Sequence, residues 1–178
     1  MTGRVQLASA ALVLLALFPH PQNEKKLERK LRNLEHHFEV QKNPVGRAKA
    51  LAEMMTKEID VAAAQILHGD AKQGIARLQH YCQLAQQVHN ELLATGRKAV
   101  HKPAGYMQLQ MATRNSLTRL RDLIFMMPIG QQEPVEIVRE QIDNLNDQLL
   151  EELFPPPSPS KPKDQKKKEK EHKRSRGG

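Results

Sequence analysis

Leu27, Leu31, Leu34 and Phe38 recur at intervals of four, three and four, with only polar residues between them. That spacing places all four on one side of a 3.6-residue helix and predicts a helix over 23–42 with a single narrow apolar stripe. Asn23 is suited to cap its start, and Pro44 to end it, because the residue before a proline is pushed out of the α region. The stretch 45–68 carries a broader apolar face of Ala48, Leu51, Ala52, Met55, Ile59, Ala62, Ala63 and Ile66. Gly69 supplies a left-handed stop and Asp70 a cap for the next helix. From there to about residue 95 the period continues through Ile75, Leu78, Tyr81, Cys82, Ala85, Val88 and Leu92, and Gly96 closes it. The two segments form a helical hairpin with a very short turn.

After the polar loop 97–105, helical spacing resumes at Tyr106, Leu109, Thr113, Leu117, Leu120, Ile124 and Met127, until Pro128-Ile129-Gly130 breaks it. A last helix is expected over 133–154, with Pro134 in its first turn and Val138, Ile142, Leu145, Leu149 and Leu153 on one face. Pro155-Pro156-Pro157 stops it. No segment alternates as a strand does. The expectation is an all-α fold, an antiparallel bundle of about five amphipathic helices over 22–154.

The two ends depart from this pattern. Residues 5–18 are apolar apart from Gln6 and Ser9, and Arg4 precedes them. Fourteen helical residues span roughly 21 Å, short of a ~30 Å hydrocarbon core. A basic start followed by an apolar run of this length fits a secretory signal, so 1–21 is expected to be a signal peptide or anchor, with export to a periplasm or cell envelope. The region 18–22 lacks a good small-x-small cleavage site. A buried core helix in a cytoplasmic protein is the alternative.

Composition sharpens the picture. Aromatics make up 3% of the 178 residues and Trp is absent, so the core must be built from Leu, Ile, Val, Ala and Met, which suits helices packed on helices. Of the formal charge of +8, residues 161–178 contribute +6, from nine Lys or Arg against three Asp or Glu, which leaves the rest of the chain nearly balanced. The tail 155–178 is Pro- and Ser-rich, then Lys-rich, with nothing apolar to bury, and is expected to be disordered. Its basic residues Lys161, Lys163, Lys166, Lys167, Lys168, Lys170, Lys173, Arg174 and Arg176 are the candidate contacts to an anionic surface. With no aromatic among them, nucleic-acid binding would be indifferent to sequence. A cytoplasmic protein binding DNA or RNA through this tail is the second functional expectation.

Candidate chemistry is sparse. One cysteine, Cys82, excludes an intramolecular disulfide and a CxxC motif; on the apolar face beside Tyr81 it reads as a small buried hydrophobe. No His-Glu-x-x-His, Walker loop, GxGxxG or GxSxG occurs. His36 and His37 diverge by ~100° on a helix, and His89, close to its apolar stripe, is expected to be partly buried and bonded to a neighbour. Met54-Met55 and Met126-Met127 are read as core packing, with Met55 and Met127 in phase. Glu133, Glu136, Asp143, Asp147, Glu151 and Glu152 are read as the solvated side of the last helix. Arg114, Arg119 and Arg121, and the Lys and Arg of the first helix with its interleaved Glu residues, are likewise read as solvated faces. No catalytic, metal or cofactor site is expected, and the partner is a protein or an anionic surface.

The hairpin 45–96 with its Gly-Asp turn resembles a tetratricopeptide-type helix pair over about fifty residues. It lacks that repeat's aromatic and proline signature, and no second copy stands at the same period. The resemblance implies peptide or protein binding on a concave helical face.

Overall fold

A proline sets where the second helix begins. In a computed structural model of the chain, which describes residues 21–156, helix α1 spans Pro21–Val40 and α2 spans Pro44–Leu67. Proline suits a first helical turn because its missing N–H would be unpaired there anyway. Asn23 therefore lies inside α1 and does not cap it. Pro44 both ends the preceding segment and starts α2, whose cap is Asn43, accepting from the Val45 N–H at 2.9 Å. Helix α3 (Ala71–Ala94) is capped by Asp70, which accepts from the Gln73 N–H, and Gly69 before it takes the left-handed φ of 101° expected of it. Helices α4 (Tyr106–Met126) and α5 (Glu133–Leu153) complete an all-α bundle of five helices. The N-terminal apolar run lies outside the described residues. Among those described, no helix is long and apolar enough to cross a membrane.

The side-chain pairs give the topology. Within α2 and α3, Arg47 meets Glu91 and Glu58 meets Arg77, so this hairpin is antiparallel. Helices α4 and α5 pair the same way, with Gln110 and Thr113 bonded to Asn146 at one end and Gln132 donating to the Ile124 carbonyl at the other. Between the hairpins the sense reverses. Cys82 contacts Gln141 and His89 contacts Glu152, so α3 and α5 run parallel; Asp60 pairs with Arg119 on the parallel α2–α4 seam. The second hairpin thus stacks on the first with both its helices in the same direction, as successive units of helix-pair repeats do. Sequence period could not show this, because α4 begins far more than ~34 residues after α2.

Helix α2 is the hub, packed against α1, α3 and α4. Three neighbours leave it little solvent face, which is why Met54 is buried as fully as Met55 although only the second is in phase with the main stripe. Met127 is buried and Met126 exposed, as the pattern predicts. Helix α1 lies on α2 through Leu31 and Phe38, with Leu27 and Leu34 partly covered. A few polar side chains are sealed into the interior and satisfied there. The Tyr81 hydroxyl donates to Ser116 Oγ at 2.9 Å, and that hydroxyl donates to the Ala112 carbonyl at 2.7 Å.

Candidate binding cleft

The most polar interior position is on the hub helix. Glu58 is in phase with Leu51 and Ala62 on a buried face, and its side chain is only 4% exposed. An isolated carboxylate cannot remain charged there, so the fold supplies a partner: Arg77 of α3 donates from Nη1 to Glu58 Oε2 at 2.9 Å. The same guanidinium nitrogen lies 3.8 Å from Glu35 of α1, so one cation serves carboxylates from two other helices. Burial nonetheless dominates and holds the Glu58 carboxyl above its ordinary range. Arg77 pulls it back down, Glu35 pushes it up, and His80 lowers it.

Glu58 forms part of the wall of a cleft of about 460 Å³ where α1, α2 and α3 meet. Its apolar floor is Phe38, Met54 and the half-buried Leu84. Its rim carries Glu35, the exposed Glu39 one helical turn further along α1, and the exposed His80 of α3. Arg47 also lines it, but its charge is engaged: Nε donates to Glu91 at 2.8 Å, and the guanidinium lies 4.2 Å from the centroid of the Phe38 ring. Arg77 thus serves Glu58 and Glu35 together, and Glu39 adds a third carboxylate to the lining, which leaves the cleft a surplus of negative charge over an apolar floor. This arrangement has the chemistry to accept hydrogen bonds from a cation and to cover an attached alkyl chain.

Of the residues singled out from sequence, the nine basic side chains of the tail, Lys161, Lys163, Lys166, Lys167, Lys168, Lys170, Lys173, Arg174 and Arg176, lie outside the described residues. Cys82 is buried and its thiol is pushed up by that burial, as expected of a packing residue. His89 is 2% exposed, and its Nε2 meets Glu152 Oε1 at 2.9 Å. This corrects the reading of Glu152 as part of a solvated face: it turns inward to the α3–α5 seam, and its second oxygen is buried with no hydrogen-bond partner. Arg119 stays on the solvated face, as expected, and pairs there with Asp60 of α2. Glu35 reaches across to α3, not to a cation of its own helix. Among the described residues no three of His, Cys, Asp and Glu converge as metal ligands would.

Sequence reasoning passed over Glu58, Arg77 and the cleft. The signal was present at Glu58, a charged residue at an apolar phase of α2. Its partner nineteen residues away was not legible. No protein-family model, curated protein or solved structure matches this chain.

Proposed function

We propose that this chain is an exported, non-catalytic helical binding protein whose α1–α2–α3 cleft takes a lysine or arginine side chain from a protein partner, while its basic tail contacts an anionic surface. The observation that carries the reading is the Glu58 carboxylate, sunk in the wall of an acidic cleft with an apolar floor. A long cationic side chain matches it, charge at Glu35, Glu39 and Glu58 and methylenes against Phe38, Met54 and Leu84. Concentration of most of the net charge in 161–178 supports the second contact, which should weaken steeply as salt rises.

Titration of the isotope-labelled protein with a lysine octapeptide tests the cleft. The expected result is saturable movement of the backbone signals of Glu39, Met54, His80 and Leu84. Uniform small shifts over the α4 and α5 surfaces instead would mean diffuse charge attraction and end the assignment. Export rests on the apolar run 5–18 behind Arg4. It predicts that mass spectrometry of the protein from its native cells finds it in an envelope or secreted fraction. Recovery of the chain solely from cytosol with Met1 intact would remove that part of the reading.

A further inference from the structure

The cleft and the tail carry opposite charge on one chain, and their separation can be bounded. The tail leaves the bundle after α5, whose Glu152 is fixed to His89 of α3. The cleft lies on the same α3, at His80 and Leu84. Phe154 lies two residues beyond Glu152 on the parallel α5, so about eleven residues of rise, roughly 16 Å, separate the start of the tail from the level of His80; the cleft lies on the side of α3 where Arg77 meets Glu35 of α1, and α5 packs on another side through Cys82 and His89. Crossing that helix surface brings the path to roughly 23 Å, given a helix diameter of ~10 Å. Between Phe154 and Lys161 the sequence is PPPSPS. At ~3.1 Å per residue for a proline-rich spacer, seven steps reach roughly 22 Å. The first lysine after the spacer can therefore bring its ammonium to the cleft at the end of its side chain, and Lys163, nine steps or roughly 28 Å out, has length to spare.

We propose that in the free protein the chain's own tail occupies the cleft, with Lys161 or Lys163 seated between Glu35 and Glu39 above Glu58, so that an anionic surface or a cationic partner must displace it. This rests on the reading of the cleft as a cation site. Tethering makes the tail a strong competitor: a proline-rich spacer whose reach matches the span gives an effective concentration on the order of 1 mM. If the tail lysine has an intrinsic Kd of roughly 0.1 mM for the cleft, a free lysine peptide would then bind the intact chain about 10-fold more weakly than one whose tail is neutral.

The test compares full-length protein with a full-length variant carrying Lys→Gln at 161, 163, 166, 167 and 168, each titrated with the lysine octapeptide. Binding about 10-fold tighter to the variant is the expected result. Equal affinity for both, with the cleft signals moving in both, would overturn tail occupancy while leaving the cation site standing. Failure of either chain to move the cleft signals would remove both. Zero-length carbodiimide coupling of a mixture of light and heavy-isotope protein then separates self from neighbour. Links from Lys161 or Lys163 to Glu35 or Glu39 within one isotope set are expected; predominantly mixed links would mean the tail serves a second copy, and would overturn the intramolecular form.

Discussion

Arg77→Met should cost about 3 kcal/mol of stability at pH 7.5, and most of that loss should vanish near pH 5. Methionine keeps much of the stem's volume but leaves the Glu58 carboxylate buried beside Glu35 with no guanidinium. The pH dependence follows from the direction of the shift. In the folded wild type, burial already holds the Glu58 carboxyl above its ordinary value of 4.5, and Arg77 opposes this. Removing Arg77 raises it further. Between the unfolded and the raised folded value, the folded chain carries a proton that the unfolded chain has released. Stability therefore falls as pH rises through that window and is flat above it. The variant's deficit relative to wild type is greatest when Glu58 must be charged, and it fades as acid neutralises the carboxyl. Urea unfolding of both proteins at the two pH values measures this. A deficit of the same size at both would mean that lost packing, not an uncompensated charge, is responsible. Glu58→Gln, neutral at every pH and still able to accept from Arg77, should tolerate neutral pH and abolish this part of the pH dependence.

Gly74→Ala should destabilise the protein by about 2 kcal/mol, although alanine is the better helix former by roughly 1 kcal/mol. Gly74 is in the first turn of α3, where it is buried against the last turns of α2. A Cβ there would stand 2.6 Å from the Ala62 carbonyl oxygen and 2.6 Å from Ile66 Cγ1. Backbone cannot swing aside as a side chain can, so the α2–α3 hairpin must open at its turn. Gly46→Ala is the internal control. In the first turn of α2, its added Cβ crowds only the flexible end of the Gln41 side chain, 2.7 Å away, with Asn43 Cβ at an ordinary 3.9 Å. There the propensity gain should prevail and raise Tm, while Gly74→Ala lowers it. Thermal melts of the two variants should move in opposite directions; a rise in both would show that the hairpin turn is looser than its contacts imply.

The helices were legible because each announces one apolar stripe and its own stop signals. Leu27–Phe38, Asp70 and Pro134 all do in the structure what their spacing and chemistry suggest. Pro44 ends the first segment as expected and also begins the second helix, whereas Asn23 misled at the boundary, since it lies inside α1 and caps nothing. Met54 was out of phase only for a helix with a single buried face, and α2 has three neighbours. Glu58 and Glu152 mark where the period fails to inform. A carboxylate at a buried phase is readable as an anomaly, but its resolution by Arg77 or His89 depends on which helix lies alongside. That pairing follows from the parallel stacking of two hairpins, which no local spacing encodes.

The most direct measurement is calorimetric titration of the lysine octapeptide into wild-type protein and Glu58→Gln at pH 7.5 in low salt. A buried, charge-assisted hydrogen bond lost from the site should weaken binding by about 10-fold in the variant, with the fold unchanged by circular dichroism. Equal affinity in the two proteins would place the lysine on the outer surface and contradict the cleft as the site of recognition.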